Sequence, residues 1–425
     1  MTQPAQSDGQ APRKAALRMM DAVMLQGKLM SELADLTDGL SPADRARAQR
    51  LAMTTLRHLD KADRVLNAYV KKTPPVPVMN VLRLATVELC EEAEADHGVV
   101  NSAVNAVAKI PRAGHLKGLA NAVLRKVAKD GPQRWTELPA ARLPLWLRKP
   151  LAQAYGKLDV NQMEAVWSKP APLDITLKSD ASDWAEKLGA TKLPSGSLRL
   201  ENAGRVTGLE GYDEGAWWIQ DAAAAMPVRL LDPKPNETII DLCAAPGGKT
   251  MQLAASGAAV TAVDLSEKRM QRVRENLDRT GLNAELIVDD ALSVAGQFDA
   301  VLLDAPCSAT GTLRRHPDLP YAKDGSEFGA LIGLQEAMLD HSLSLLKPGG
   351  RLVFCTCSLL PDEGECHIDA LIERRSDVLV DRGALEQDWI DPAWRSSEGG
   401  LRLRPDFWRE SGGMDGFYIA VLRKS

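Results

Sequence analysis

The sequence is poor in aromatic residues, which make up 4% of its 425 residues. Such a low content argues against an extended platform for stacking nucleic-acid bases. The six cysteines include no Cys-x-x-Cys pair, which argues against a zinc ribbon or a disulfide framework and fits a reducing compartment. No window approaches the roughly 18–20 apolar residues of a membrane span, and the polar opening predicts no signal peptide. We therefore expect a cytoplasmic protein that is neither secreted nor membrane-spanning.

The chain also lacks an excess of either charge. Its 52 Lys and Arg residues against 57 Asp and Glu residues give a net charge of −5, which is no overall signal for nucleic acid or an anionic membrane. Residues 1–130 nevertheless hold 19 basic and 14 acidic residues, a net +5, which leaves −10 for the remainder. Basic side chains such as Lys109, Lys117 and Arg125 could form a phosphate-facing stripe or an ordinary solvated helix face, and the sequence leaves both interpretations open.

The length predicts two or three domains, and 45% hydrophobic with 26% charged residues is typical of packed globular proteins. Apolar residues recur at helical spacing in the first third, whereas the middle has only scattered strand candidates, at Leu173–Lys178 and Leu198–Leu200. The predicted parts are a flexible tail (1–12), an all-helical domain (13–130), a connecting α+β subdomain (131–215) and an α/β domain (216–425).

The last part alternates short apolar runs with amphipathic helices, which predicts a doubly wound α/β domain with a parallel sheet. One helix is expected over Glu267–Thr280, between Ser266 as N-cap and Gly281 as stop. The strand candidates are Thr238–Leu242, Val260–Val263, Ala284–Val288, Ala300–Leu303, Arg351–Phe354 and Phe417–Leu422.

A Gly-Gly turn follows the first of these strands, in the segment Asp241–Thr250. It differs from a phosphate-binding P-loop because Cys243 stands where that motif needs glycine, and the dinucleotide pattern GxGxxG is absent. Asp264 ends the second strand, where a carboxylate can bind both ribose hydroxyls, and Asp290 follows the third, within reach of an adenine. Each acid alone reads equally well as an N-cap, but together they favour a nucleoside without a phosphate chain.

Cysteines follow the next two strands, Cys307 in Asp-Ala-Pro-Cys and Cys357 in Cys-Thr-Cys-Ser. Loops at the carboxyl ends of such strands face the ligand, so either thiol is a candidate nucleophile. A zinc site is disfavoured by the cysteine spacing, and a cysteine hydrolase by the lack of a nearby His–carboxylate arrangement. The remaining cysteines are interpreted as small buried hydrophobes, namely Cys90, Cys243, Cys355 and Cys366.

Three blocks, DLCAAPGGKT, DAPCSATGTLRRHPD and CTCSLLPDEGE, resemble the RNA cytosine-C5 methyltransferases, the bacterial Rsm and eukaryotic Nop2/Sun proteins. The stretch Lys117–Arg125 resembles the NusB-type RNA-binding domain attached to ribosomal RNA methyltransferases of this kind. The resemblance implies a Rossmann-like class I methyltransferase domain preceded by an all-α NusB-like domain and a small mixed connecting subdomain. Cys355, where the family more often has a small residue, is expected to pack inside the sheet. The acidic residues Glu91, Glu92, Glu94 and Asp96 argue against an RNA-binding face at that edge of the front domain.

The resemblance further implies S-adenosylmethionine as cofactor, with no metal. Asp264 would bind its ribose, Asp290 would lie near its adenine, and Asp304 would line the methyl-donor pocket. The turn around the cofactor would consist of Cys243, Ala244, Ala245, Pro246, Gly247, Gly248 and Lys249.

The chemistry of cytosine methylation explains why a site would need two thiols and one carboxylic acid. Carbon 5 is a poor nucleophile until a thiolate adds to carbon 6. In the family the attacking thiol belongs to the Thr-Cys-Ser block, hence Cys357, while Cys307 would assist product release. Residue chemistry alone leaves the choice between the two thiols open. Asp304 would stabilise the charge that develops in the ring.

The expected partner is ribosomal RNA, most simply 16S RNA of the small subunit, bound by a monomer. The target base must be splayed out of any stack. Arg314, Arg315 and His316 are candidates to hold its phosphates, although a solvated loop explains them equally well. Two other functions are kept as alternatives. One is a non-catalytic NusB-like assembly factor with a vestigial methyltransferase domain. The other is an amino-group methyltransferase, but such enzymes use an acid-Pro-Pro-aromatic loop, which the Ala-Pro-Cys sequence of this chain matches poorly.

Overall fold

The computed structural model describes residues 9–179, 183–201 and 203–425. They form two compact units, which divide the chain differently from the predicted boundaries at 131 and 215. The helix that begins at Lys117 continues to Glu137, and two further helices keep residues 131–169 with the helical unit. The first unit comprises Met1–Lys169 and Leu313–Asp324, and the second comprises Pro170–Thr312 and Gly325–Ser425.

The first unit is helical, as predicted. Helix α4 (Val76–Cys90) is its central element, because every side chain from Val78 to Leu89 except Arg83 is buried. The first helix begins at Gln10, so the last three residues of the predicted tail are helical, whereas residues 1–8 lie outside the described part. The helices are α1 (Gln10–Gln26), α2 (Pro42–Arg57), α3 (Leu59–Leu66), α4 (Val76–Cys90), α5 (Asp96–Ala108), α6 (Lys117–Glu137), α7 (Leu145–Tyr155), α8 (Lys157–Trp167) and, from the later segment, α13 (Leu319–Ala322).

The second unit opens with a small antiparallel sheet in the order β2-β3-β1-β4. Both strand candidates of the middle region are confirmed, as β1 and β3. Arg199 of β3 and Asp174 of β1 form a buried bidentate ion pair across this sheet, with N–O distances of 2.6 and 2.7 Å. The elements are β1 (Leu173–Leu177), α9 (Trp184–Lys187), β2 (Thr191–Lys192), β3 (Leu198–Leu200) and β4 (Trp217–Ile219).

A large eight-stranded sheet follows, in the order β10-β12-β9-β8-β5-β6-β7, with β11 paired to β12. Strands β5 to β9 are parallel neighbours, while β12 runs antiparallel to β9. The elements are α10 (Ala222–Leu231), β5 (Thr238–Leu242), α11 (Gly248–Ala255), β6 (Ala259–Asp264), α12 (Glu267–Thr280), β7 (Glu285–Val288), β8 (Phe298–Asp304), α14 (Phe328–Ser344), β9 (Leu346–Thr356), α15 (Glu365–Arg374), β10 (Val378–Val380), β11 (Leu401–Leu403) and β12 (Phe417–Lys424).

Each face of the large sheet is covered, which is why its strands are continuous apolar runs. Ile239 of β5 packs on one face with Met226 of α10, and Ile240 packs on the other with Leu339 of α14. All six strand candidates and helix α12 are confirmed. The predicted parallel sheet forms the larger part of this sheet, and the strands at one edge, β10 to β12, pair antiparallel and make it a mixed sheet.

None of the helices in the described ranges combines the length and the apolar character needed to cross a membrane.

Candidate active site

The carboxyl ends of four neighbouring parallel strands meet at one edge of the large sheet. Ligand crevices of open α/β sheets lie beyond this edge. The structure brings most of the predicted site residues here, because each follows or ends one of these strands. Among them are Cys357 after β9, Asp304 at the end of β8, Cys243 after β5 and Asp264 at the end of β6.

The turn between β5 and α11 has the tight backbone that its glycines predict. Gly247 has φ of +101°, and a Cβ there would lie 3.2 Å from Val273 Cγ1 and 3.3 Å from Val273 Cα. Ala244 N–H donates to the Val263 carbonyl of β6 at 2.9 Å, which fixes the turn against the neighbouring strand. Only a residue without a side chain fits position 247 without displacing helix α12.

Asp241, at the end of β5, is completely buried. Its Oδ2 accepts the Thr250 hydroxyl at 2.6 Å, whereas its Oδ1 is a buried oxygen without a hydrogen-bond partner. Burial raises the pKa of Asp241 to about 7, although the Thr250 hydrogen bond acts in the opposite direction. A buried oxygen in this state favours a ligand that brings a hydrogen-bond donor.

The two acids assigned to a nucleoside differ in their surroundings. Asp264 is buried, and its carboxylate accepts the Ser266 N–H at 3.0 Å and the Ala245 N–H at 3.2 Å. It also lies 3.3 Å from the Arg269 guanidinium. Asp290 is exposed, and its Oδ1 accepts the Leu292 N–H at 2.9 Å in a local turn, with no helix there for it to cap.

Asp304 lies between a lysine and a cysteine. Lys249 Nζ is 2.7 Å from its Oδ2, and the Cys355 thiol donates to its Oδ1 at 3.6 Å. Burial disfavours the charged Lys249 ammonium, but Asp304 more than offsets this, and the pKa of Lys249 is raised above its ordinary value. The ion pair thus joins the Gly-Gly turn to the end of β8.

The sulfur atoms of Cys307 and Cys357 are 3.5 Å apart, although the residues are 50 positions apart in the chain. The hydrogen bond to Cys357, and then burial, raise the pKa of the Cys307 thiol well above its ordinary value. The raised pKa favours the protonated form of Cys307, whichever sulfur donates the hydrogen bond.

The other cysteines fit their predicted roles unevenly. Cys355 is fully buried within β9, as expected, and burial raises its pKa well above the ordinary value. Cys90 and Cys243 are half-buried, and burial raises the pKa of each to about 12. Cys366 on α15 is exposed, so its interpretation as a buried hydrophobe is wrong.

The three candidate phosphate contacts lie in the segment Leu313–Asp324, which belongs to the helical unit. Arg314 is 1% exposed, and its carbonyl accepts Arg57 Nη1 at 2.9 Å. A buried guanidinium is not exposed to a phosphate in this structure, and the assignment of Arg314 stays a prediction. Arg315 is exposed, and His316 is half-buried with its pKa lowered by burial and by Arg315.

One residue of this edge was missed by sequence reasoning: Glu363, a carboxylate with 0% exposure that accepts hydrogen bonds from the loops of both thiols. Its position in the block CTCSLLPDEGE, close to Cys357 in the chain, could have identified it as a site residue. An acidic residue just before a helix is common, however, because it interacts favourably with the helix N-terminus. Across the described residues, no group of three or more His, Cys, Asp or Glu side chains is arranged to hold a metal ion.

Comparison with known proteins gives two family matches. Residues 228–423 match the family described as 16S rRNA methyltransferase RsmB/F, and residues 10–129 match the NusB family. Two curated relatives, both called ribosomal RNA small subunit methyltransferase B, are similar over nearly the whole chain. The protein from Pseudomonas syringae pv. tomato is 34% identical over 448 residues, covering 97% of this chain and 97% of the relative. The protein from Escherichia coli is 34% identical over 437 residues, covering 97% of this chain and 98% of the relative.

Among solved structures, the crystal structure of the protein PH0851 is similar over 100% of both chains, with a TM-score of 0.74 and 22% sequence identity. At this identity the likeness concerns the fold alone. It confirms the succession of a helical part, a small sheet and a large α/β part.

Proposed function

Because this chain belongs to the RsmB/F family of 16S rRNA methyltransferases, we propose that it methylates carbon 5 of a cytosine in 16S ribosomal RNA with S-adenosylmethionine as methyl donor. The observation that carries the proposal is the pair of thiols, Cys307 and Cys357, 3.5 Å apart at the ligand-binding edge of the sheet. Carbon 5 of cytosine needs covalent activation by a sulfur nucleophile, whereas an exocyclic amino group does not.

The residues at the β5 turn fit the cofactor. The turn of Cys243, Ala244, Ala245, Pro246, Gly247, Gly248 and Lys249 leaves no side chain at its tightest point, and the unpartnered Oδ1 of Asp241 suits an ammonium group such as that of the methionine moiety. Asp264 is assigned to the ribose and Asp290 to the adenine. The cofactor would supply a methyl group bonded to a sulfonium sulfur. We assign the binding of the cofactor to this turn.

Cys357 is assigned as the nucleophile. Its thiolate adds to carbon 6 of the cytosine, and the electron pair of the 5,6 double bond becomes available at carbon 5 to accept the methyl group. Asp304 shares a proton with ring nitrogen 3 and so stabilises the charge that the addition develops there. Lys249, 2.7 Å from Asp304, supplies the compensating positive charge.

Cys307 is assigned to product release. While Cys357 is free, its hydrogen bond keeps the proton on Cys307. After the addition, Cys307 gives its own proton to water and, as a thiolate, takes the proton from carbon 5, directly or through water. The electron pair of that C–H bond reforms the 5,6 double bond, and Cys357 leaves as a thiolate.

RNA recognition is assigned to backbone contacts of a splayed-out nucleotide. The exposed Arg315, with His316 beside it, is proposed to hold phosphates, eight and nine residues after Cys307 in the chain. Because the proposed substrate is ribosomal RNA, we propose that the enzyme acts in the cytoplasm, as a monomer.

The decisive test is the substitution Cys357→Ala. It is expected to abolish methyl transfer to unmodified 16S RNA while leaving the dissociation constant for S-adenosylmethionine nearly unchanged. Cys366→Ala is the matched control, since it removes an exposed thiol from α15. Retained methylation by Cys357→Ala would overturn the assignment.

A second substitution, Cys307→Ala, separates addition from release. The protein is expected to accumulate a covalent adduct with the RNA, seen as a band that resists denaturation on a gel. A Cys307→Ala protein that turns over without such a band would show that another group removes the carbon 5 proton.

A further inference from the structure

Glu363 accepts hydrogen bonds from both loops that carry the thiols. It ends a short 3-10 turn, Pro361–Glu363, and its side chain is fully buried. Oε1 accepts the Ser308 N–H at 2.9 Å, and Oε2 accepts the Ser358 hydroxyl at 2.5 Å and the Ser308 hydroxyl. Ser308 and Ser358 are the residues immediately after Cys307 and Cys357. One carboxylate therefore fixes the position that follows each thiol.

From this geometry we infer that Glu363 is a positioning residue that holds the Cys307 and Cys357 sulfur atoms at their working separation. The inference rests on the proposed function for its catalytic consequence, but the spacing that it describes is measurable without methyl transfer.

Other groups hold the carboxylate in place. Gln335 of α14 donates from one Nε2 to Glu363 Oε1 at 3.0 Å and to the Pro306 carbonyl at 2.9 Å, next to Cys307. The Gln335 Oε1 is 2.8 Å from His367 Nε2 of α15, and the Thr356 hydroxyl donates to the Glu363 backbone carbonyl at 2.8 Å. Since groups from α14, α15 and β9 converge here, Glu363 has little freedom to move.

A buried carboxylate is costly unless its oxygens accept several hydrogen bonds, and packing alone would be served as well by an apolar side chain. The four donors of Glu363 satisfy it, and three of them come from the two serines. Most hydrogen bonds of the Glu363 carboxylate therefore come from Ser308 and Ser358, the residues that follow the two thiols in the chain. Covalent chemistry is sensitive to such positions, because a displacement of about 1 Å costs roughly a hundredfold in rate.

Three variants distinguish the hydrogen bonds that Glu363 makes to the two loops from the effect of its negative charge. Glu363→Ala removes every contact to the serines. Glu363→Gln keeps a carbonyl for the Ser308 and Gln335 N–H groups, and its amide can donate to the two serine hydroxyls, which also accept hydrogen bonds. Asp362→Asn is the matched control, because it removes an exposed carboxylate from the same turn.

The first readout is chemical and needs no RNA. Dibromobimane becomes fluorescent when it links two neighbouring thiols, and the parent protein is expected to show this reaction between Cys307 and Cys357, whereas a Cys307→Ala protein is not. Glu363→Ala should slow the linkage, while Glu363→Gln and Asp362→Asn should react at nearly the parental rate. Melting temperature and cofactor affinity, measured alongside, identify a variant that fails to fold. For such a case Ser308→Ala, which removes one hydroxyl contact, replaces Glu363→Ala, and a smaller slowing in the same direction is expected.

The second readout is the rate constant for covalent adduct formation in a Cys307→Ala background. Adding Glu363→Ala should lower it by about a hundredfold, whereas Glu363→Gln should stay within about tenfold of the parent, the worth of a weakened hydrogen bond. Equal linkage rates in the parent and in folded Glu363→Ala would overturn the inference, and so would a Glu363→Gln protein as impaired as Glu363→Ala. Absence of any adduct with Glu363 intact would instead contradict the roles assigned to Cys307 and Cys357, while the linkage rates still decide the role of Glu363.

Discussion

Gly311→Ala is expected to slow methyl transfer without touching a reactive group. Gly311 lies in the 3-10 turn Thr310–Thr312, after the Cys307 loop, and its N–H donates to the Cys357 carbonyl at 2.9 Å. Its own carbonyl accepts the Gly416 N–H at 2.8 Å. A Cβ at position 311 would lie 2.0 Å from the Gly416 carbonyl oxygen, where at least 3.0 Å is needed, so the backbone must shift by 1.0 Å or more.

This shift acts on the backbone that holds the proposed nucleophile. A displacement of about 1 Å at a reacting group costs roughly a hundredfold in rate, or about 2.7 kcal/mol of activation free energy. The assay is single-turnover methylation of unmodified 16S RNA, with the dissociation constant of S-adenosylmethionine and the melting temperature measured on the same protein. Gly329→Ala on α14 is the control, because a Cβ at that exposed position meets no atom within 4 Å. A folded Gly311→Ala protein with the parental rate would refute the link between this backbone contact and the rate.

Two further predictions concern stability. Arg199→Met leaves Asp174 buried without its ion-pair partner and should lower the free energy of unfolding, measured by thermal denaturation, by about 3–5 kcal/mol. The control Arg374→Met removes only exposed ion pairs and should change the melting temperature little. Equal effects of the two substitutions would contradict the reasoning. Burial lowers the pKa of His58 to about 4, although Glu91 acts in the opposite direction, so the neutral ring favours the folded state. The stability that His58 confers is complete above its unfolded-state pKa of about 6.5 and is lost as the pH falls toward 4; between pH 7 and pH 5 the loss is roughly 2 kcal/mol. His58→Gln should reduce this pH dependence in denaturant titrations, and an unchanged dependence would show that other groups cause it.

The strands of the large sheet were predictable because burial on both faces leaves a plain signal. The run Thr238–Leu242 coincides with β5, and helix α12 has the predicted bounds because Ser266 and Gly281 mark both ends. The direction of β12 was not predictable, since an apolar run looks the same whether its neighbour is parallel or antiparallel. Strands β10 and β11, three residues each, are too short to show a period.

The candidate site was predictable only as far as strand order determines it. Asp304, Cys307 and Cys357 converge because β8 and β9 are parallel neighbours, which the alternation of strands and helices implies. The burial of Arg314 depends on the residues that pack over it in the folded protein. The sequence shows that the side chain is charged, but it does not show which residues pack over it. Glu363 looked like an ordinary acid at a helix start, because its partner Ser308 lies 55 residues earlier in the chain.

The central claim is that Cys357 sulfur bonds to carbon 6 of the target cytosine. The most direct measurement uses Cys307→Ala protein with S-adenosylmethionine and unmodified 16S RNA, followed by nuclease and protease digestion and mass spectrometry of the linked peptide. A methylated cytidine attached to Cys357 is the predicted result. Attachment to any other residue would contradict the account.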